Sequence, residues 1–79
     1  QISIYPSPAK DQLIIKFNGK ELYVVKVTLF NLAGEVVFSS VENHSHELTI
    51  DISSLPNAMY IIEIDNNENR MIKQIVKEQ

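Results

Sequence analysis

The sequence is short of the residues on which several classes of site depend. Its 79 residues include no cysteine, no tryptophan and only two glycines. Without cysteine the chain forms neither a disulfide bond nor a thiolate site for a metal or a nucleophile. Its apolar runs are also far shorter than the stretch of about 20 residues that spans a bilayer as a helix. We therefore expect no transmembrane segment, no disulfide framework and no thiol chemistry.

The charged residues are scattered rather than grouped. The chain has seven basic residues against ten acidic ones, which gives a formal net charge of −3. A protein that binds nucleic acid through its phosphates needs a basic stripe or patch. The sequence has neither, so nucleic-acid binding is not expected.

The length allows one small domain. A chain of this size buries little more than about 60% of the surface that its unfolded form exposes, which leaves no room to shape a deep cleft. The sequence begins with Gln1 rather than Met, carries no signal peptide and enters a strand-like run at once. We expect residues 1–79 to form a single domain excised from a larger protein.

Apolar and polar residues alternate through most of the chain, which is typical of strands with one buried face. Turn-forming residues interrupt the alternation at roughly 8–12-residue spacing, as in β-sandwiches. Only the last segment would also suit a helix, because Met71, Ile72, Ile75 and Val76 fit one helical face. The hairpin-like turn before it favours a strand. The sequence thus predicts an all-β, antiparallel sandwich of about seven short strands, at residues 2–5, 12–17, 22–30, 35–41, 47–52, 59–65 and 70–77.

The same alternation predicts which side chains face the core. In a strand, every second residue points to the same face of the sheet. The apolar set on the inward face comprises Leu13, Ile15, Phe17, Val25, Val27, Leu29, Leu48, Ile50, Ile52, Tyr60, Ile62 and Ile64.

The turn that joins the two central strands has the clearest local chemistry. Asn31 suits the first position of a type I turn, since its side chain can bond to its own backbone two residues on. Gly34 suits the fourth position, where a positive φ is needed. Together they predict a hairpin with a β-bulge. Further turns are expected at Asn18–Gly19 and at residues 66–69.

Four segments, in this order and spacing, resemble one known family. They are residues 4–9 with Pro6 and Pro8, residues 29–37 with Asn31 and Gly34, residues 51–55 followed by 59–62, and residues 73–77. The ordered set is similar to the C-terminal sorting domain, type A, of proteins exported by the type IX (Por) secretion system of Bacteroidota. The resemblance covers nearly the whole chain.

The resemblance implies an Ig-like sandwich of seven antiparallel strands at the C-terminus of a larger cargo protein. The cargo would pass through the periplasm and cross the outer membrane by the type IX translocon. A sortase-like peptidase would then remove the domain, leaving the cargo at the cell surface or in the medium. The domain itself would be no enzyme and would need no cofactor, although the cargo could be a protease or a glycoside hydrolase.

The sequence departs from the family pattern at two positions. Ser7 stands where the family usually has Asn between the prolines, and Ser can make similar local bonds to the backbone. Ala58 stands where the family usually has Gly. If that position requires a positive φ, alanine costs on the order of 1 kcal/mol or more. Otherwise the family glycine serves close packing.

The C-terminal strand holds the candidate recognition residues. On the family reading, the translocation machinery reads this part of the domain most directly. The candidates are Lys73, Gln74, Ile75, Val76 and Lys77. Equally, the two lysines would be solvated charges that protect an edge strand from pairing with foreign strands.

Other singled-out residues have a structural and a functional interpretation. Pro6 and Pro8 either end an edge strand or stiffen the segment beside the cleavage linker. Asp51 either accepts hydrogen bonds from the backbone of Ser53 and Ser54 or offers a recognition charge. Tyr60 either packs its ring inward, with the hydroxyl at the rim, or contacts a receptor. We favour the structural interpretation for each.

Two groups of residues have the side-chain types used in metal binding or catalysis. His44 and His46 lie two residues apart in a polar segment, 42–46, that we expect to be an exposed loop. Two histidines without a third fixed ligand do not make a metal site. Serine, histidine and aspartate are all present, but no serine lies in a nucleophile-elbow sequence. We predict neither a metal site nor a catalytic residue.

A rival function is an accessory module of Ig-like or fibronectin-like type that binds carbohydrate or a surface protein and stays on an extracellular enzyme. Glycan-binding faces commonly present exposed flat aromatic rings, and this chain lacks tryptophan. Its few tyrosines and phenylalanines fall mostly at inward strand positions. The sorting domain is therefore the favoured hypothesis.

Overall fold

The computed structural model describes residues 2–6, 8–17, 23–44, 47–66 and 70–78. In these residues the chain forms seven strands. They are β1 (Ile2–Tyr5), β2 (Gln12–Phe17), β3 (Tyr23–Phe30), β4 (Val36–His44), β5 (Glu47–Asp51), β6 (Ala58–Asp65) and β7 (Arg70–Lys77).

The strands form two sheets, and within each sheet neighbouring strands pair in antiparallel fashion. One sheet has three strands in the order β1-β2-β5, and the other has four in the order β4-β3-β6-β7. The prediction of an all-β, antiparallel sandwich is confirmed. The last segment is also a strand rather than a helix, since every residue from Arg70 to Lys77 pairs with β6.

The largest difference from the sequence-based assignment lies at the end of β4. The polar segment that begins at Glu42 was predicted to be a loop, but β4 continues through it to His44. Here Glu42 pairs with Val25, and Asn43 with Val24. The backbone ladder to a long neighbouring strand outweighs the weak strand preference of these polar side chains. The predicted turns at 18–19 and 67–69 lie outside the described residues.

The core lies between the two sheets and consists almost wholly of the predicted side chains. Leu48 alone of the predicted set is only partly buried, because β5 is an edge strand of the smaller sheet. Ile4, Ala9 and Ile75 also belong to the core. The fully buried large side chains are Leu13, Ile15, Leu29, Ile52, Ile62, Ile64, Val25 and Val27.

The β3–β4 turn has the predicted conformation. The N–H of Gly34 donates to the carbonyl of Asn31 at 3.0 Å, and Gly34 has φ of +87°. The Oδ1 atom of Asn31 accepts from the N–H groups of Ala33 and Glu35 at 3.0 and 2.9 Å. The strand register shifts between Leu29 and Phe30, as a β-bulge requires.

Ala58, which replaces the usual family glycine, begins strand β6. It pairs with Lys77 of β7 in the antiparallel ladder. A residue in such a ladder has an extended backbone, which alanine adopts without strain. The substitution therefore carries no penalty from positive φ.

We expect Gly34→Ala to lower the free energy of unfolding by about 1 kcal/mol, because a Cβ atom disfavours positive φ. A Cβ built at Gly34 meets no heavy atom within 4 Å, so the loss comes from the backbone and not from a clash. Gly34→Asn is the matched control, since asparagine tolerates this conformation better. Urea unfolding of the three chains measures the effect. Equal losses for both variants would contradict the backbone explanation.

Candidate functional site

Strand β7, the predicted recognition segment, forms one edge of the four-stranded sheet. Its side chains alternate between the two faces. Met71 and Ile75 pack on the core, whereas Ile72 is 62% exposed on the outer face. Lys73 and Lys77 share the inward face, as their spacing in the strand requires.

The five candidate recognition residues differ widely in accessibility. Lys73 and Gln74 are exposed, and Val76 is partly buried. Ile75 and Lys77 are each only 2% exposed. Direct contact with a partner through side chains is therefore open to Lys73 and Gln74, while Ile75 and Lys77 face the inside of the domain.

Lys77 is held by the backbone of the β5–β6 loop. Its Nζ atom lies 2.8 Å from the carbonyl oxygen of Leu55 and 3.5 Å from that of Ser53. A buried ammonium group is tolerated only when hydrogen bonds replace the water that it loses. The interpretation of Lys77 as a solvated edge charge is wrong. Lys73 does reach solvent, with its Nζ atom 3.5 Å from the carbonyl oxygen of Ile4.

The segment after β1 hydrogen-bonds to the backbone at the same end of β7. The N–H of Ala9 donates to the carbonyl of Val76, and the N–H of Glu78 donates to the carbonyl of Ala9, both at 2.8 Å. Ala9 itself is fully buried and forms a parallel bridge with Lys77. Pro6 and Pro8, on either side of position 7, are exposed, and β1 ends directly before Pro6.

The β5–β6 loop that receives Lys77 is ordered by its own hydrogen bonds. The Oδ1 atom of Asp51 accepts from the Ser53 N–H at 2.9 Å. Hydrogen bonds from the Ser53 hydroxyl and then from the Ser53 backbone lower the pKa of Asp51 from its ordinary value of 3.8. The N–H of Ile52 donates to the carbonyl of Asp11 at 2.8 Å, which joins the loop to the segment after β1.

Tyr60 supports the same loop from the start of β6. Its side chain is only 3% exposed, and its hydroxyl donates to the carbonyl oxygen of Pro56 at 2.6 Å. The predicted arrangement, with the ring inward and the hydroxyl bonded at the rim, is confirmed. A tyrosine that bonds back to the chain just before its strand is a known device in Ig-like sandwiches.

The four segments that carry the family resemblance all lie at one end of the sandwich. This is the end where β6 begins and β7 finishes, because Ala58 pairs with Lys77. Phe30, the last residue before the β3–β4 turn, pairs with Ile61 and so points the turn to this end. Segment 73–77 bonds directly to two of the others, through Val76 to Ala9 and through Lys77 to Leu55.

Sequence reasoning missed two features of this end. The role of Ala9 depends on its backbone atoms, which no side-chain pattern reports. The inward direction of Lys77 was readable from its spacing to Ile75, but the carbonyl partners come from a loop more than 20 residues away, at a separation of 22 for Leu55.

A concave region lies on the outer face of the four-stranded sheet. It is a shallow groove of about 340 Å³ that includes Lys26, Glu63, Asp65 and Arg70. The Nε atom of Arg70 lies 2.8 Å from Glu63 and its Nη2 atom 3.8 Å from Asp65. These charges thus neutralise one another. Within the described ranges, no group of three or more His, Asp or Glu residues is placed to hold a metal ion, and no helix could span a membrane.

We expect Tyr60→Phe to lower the free energy of unfolding by about 1 kcal/mol, since it removes one buried hydrogen bond and keeps the ring. Tyr5→Phe is the matched control, because Tyr5 is 39% exposed on the outer face. Denaturant unfolding of both variants measures the difference. If both changes cost the same, the bond to Pro56 does not support the loop.

Comparison with known proteins agrees with this architecture. A protein of the DUF3244 family from Bacteroides vulgatus, with an immunoglobulin-like β-sandwich fold, matches with a TM-score of 0.82 at 21% sequence identity. The match covers 98% of this chain and 83% of that one. At this identity the likeness establishes the fold, and the predicted Ig-like sandwich is confirmed.

The sequence comparisons extend from fold to family. The ulvan lyase NLR42 of Nonlabens ulvanivorans is 29% identical over 70 residues, which are 89% of this chain but only 13% of that protein. A family model described as the secretion system C-terminal sorting domain matches residues 3–78. This span contains β2 to β7, all of β1 except Ile2, and all four motif segments. The chain belongs to the family of type IX secretion system C-terminal sorting domains.

Proposed function

We propose that this domain directs a larger cargo protein across the outer membrane through the type IX secretion system. The observation that carries the proposal is the family match over residues 3–78. A sorting-signal domain is an address on another protein and is not itself catalytic. The partners would be the fused cargo, the outer-membrane translocon and a sortase-like peptidase that removes the domain after export.

The cargo is proposed to be an enzyme that acts outside the cell. The chain spans only 13% of the ulvan lyase that it resembles, so most of that relative lies outside the similarity. A similar division would place the catalytic part of this protein upstream of the 79 residues. The cargo would then reach the cell surface or the medium without the domain.

The surface offered to the translocon is proposed to include the exposed part of β7. Lys73 and Gln74 supply a cation and an amide, and Ile72 beside them is 62% exposed. The Nε2 atom of Gln74 lies 3.5 Å from the Sδ atom of Met59, which is 40% exposed on β6. Gln74, Ile72 and Met59 lie on the outer face of the sheet, and Lys73 extends to solvent from the other face of the same edge strand; together we call them the β7 strip.

The rival function, a carbohydrate-binding module, lacks a suitable aromatic platform among the described residues. Phe17 and Tyr60 are buried at 2% and 3% exposure, and Phe30 and Phe38 are partly buried. Tyr5, at 39%, is the most exposed of the aromatic residues whose burial the structure describes. Stacking on sugars generally uses broad exposed rings, so we favour the sorting role.

Fusion of residues 1–79 to a reporter that carries a signal peptide tests the sorting role in a Bacteroidota strain. We expect the reporter on the surface or in the medium only when the translocon works. It should also be shorter by about the mass of the domain. Immunoblots of cell fractions from strains with and without the translocon measure both effects. Retention in the periplasm of both strains, with the domain intact, would reject the proposal.

A paired substitution tests whether the exposed part of β7 is read. We expect Lys73→Glu together with Gln74→Ala to reduce export of the reporter at least about fivefold, a loss of the size produced by removing a few interface contacts. Lys16→Glu is the control, since Lys16 is an exposed strand residue of the opposite sheet. The melting temperature of each purified domain must stay near that of the parent. Equal export of both variants would exclude the β7 strip as the recognition surface.

Complete deletion of β7 does not answer the same question. The strand pairs with β6 along its whole length and contributes Ile75 to the core. Its loss would unfold the domain and stop export for that reason alone. Surface substitutions separate recognition from folding.

A further inference from the structure

The end of β7 is enclosed by two segments that lie far away in the sequence. Ala9 bonds through both its N–H and its carbonyl, to Val76 and Glu78 respectively, at 2.8 Å each. Leu55 and Ser53 face the Nζ atom of Lys77 from the opposite side. We call these two segments the socket of the strand end, because each hydrogen-bonds to it through backbone groups.

The enclosing segments are also bonded to each other. The N–H of Ile52 donates to the carbonyl of Asp11 at 2.8 Å, and the N–H of Leu55 donates to that of Ile52 at 3.1 Å. The β1–β2 connection, the β5–β6 loop and the end of β7 thus form a closed circuit of hydrogen bonds. Removal of the strand end leaves acceptors in both other segments without their donors.

In the described part of the chain, Lys77 is the only buried residue with a charged side chain. The ion pairs of β7 are made by Arg70 at the other end of the strand, with Glu63 and Asp65. In the part of the chain that the structure describes, the polar partners of the Lys77 ammonium group are the carbonyl groups of Leu55 and Ser53. The hydrogen bonds from Lys77 to these carbonyl groups stabilise the strand end while it lies in the socket. When the strand end leaves, water takes the place of these partners and the stabilisation is lost.

We infer that Val76, Lys77 and Glu78 form a terminal latch, which opens as one unit and releases the segment after β1 when it does. The latch couples the C-terminal end of the domain to Ala9 and hence to the N-terminal part of the chain. A partner that withdraws the strand end from its socket would free both backbone bonds of Ala9 and expose this buried residue, beside Pro8 and Lys10, which are already exposed. The use of this coupling in sorting rests on the proposed function, but the latch itself does not.

The unmodified chain provides the first test, by acylation of lysine amines with a water-soluble ester. We expect Lys77 to react at least about tenfold more slowly than Lys73, because its amine reacts only after local opening. Amide hydrogen exchange at Ala9 and Glu78 should give the same opening equilibrium as Lys77, within about threefold, since one event exposes all three. Mass spectrometry and NMR provide these values. Reaction of Lys77 at the rate of Lys73, or clearly different opening equilibria, would overturn the latch.

A matched pair of variants tests the coupling. Lys77→Met keeps most of the aliphatic side chain but removes the donors, and Lys73→Met makes the same change four residues away on the same face. We expect Lys77→Met to lower the protection of the Ala9 and Glu78 amides at least about tenfold, the effect of one or two lost hydrogen bonds from a charged donor. Trypsin should also cleave faster after Lys10. Lys73→Met should change neither readout.

Two outcomes of the variant test would count against the inference. Unchanged protection at Ala9 in Lys77→Met would show that the side chain does not couple the segments. Equal acceleration of cleavage in both variants would show general loosening instead of a latch. If Lys77→Met fails to fold, the measurements on the unmodified chain decide alone. All these tests use the purified chain without any secretion component, so their result is independent of the export assay.

Discussion

The burial of one ammonium group at the end of the last strand determines how this domain is closed. Lys77 exchanges water for the carbonyl oxygens of Leu55 and Ser53, the nearer of them at 2.8 Å. That exchange is favourable only while the β5–β6 loop holds its shape, which depends on the bonds made by Asp51 and Tyr60. A small sandwich has little apolar area to spare. Directed polar contacts therefore add to the stability that the apolar core provides.

Both edge strands of the larger sheet carry charged side chains on their inward faces. An edge strand exposes backbone groups that could pair with foreign strands, and inward-pointing charges are one defence against this. On β7 the inward charges are Lys73 and Lys77. On β4 the inward charge is Glu42, which lies opposite the buried Val25 and is hydrogen-bonded by the Ser40 hydroxyl. Both edge strands thus carry a feature that disfavours pairing with other strands.

The clustering of the four family segments at one end gives them a common physical purpose. The turn at Asn31 and Gly34 ends the β3–β4 hairpin there, and the Tyr60 hydroxyl fixes the loop beside it. The proline segment leads into Ala9, which bonds directly to the last strand. Motifs that look independent along the chain thus support one structural unit. The position of the last strand end therefore depends on a backbone segment near the start of β2.

The sequence by itself determined the strands, the inward faces and the main turn, because alternation and turn chemistry act over a few residues. It also indicated the family through four ordered segments. It did not determine that β4 continues to His44, since only the neighbouring strand β3 supplies those ladder bonds. Nor did it distinguish Lys73 from Lys77, which lie four residues apart on the same face of β7. Tertiary structure alone decided that Lys73 reaches solvent and Lys77 is buried, because the carbonyl groups that replace water around Lys77 come from a distant loop.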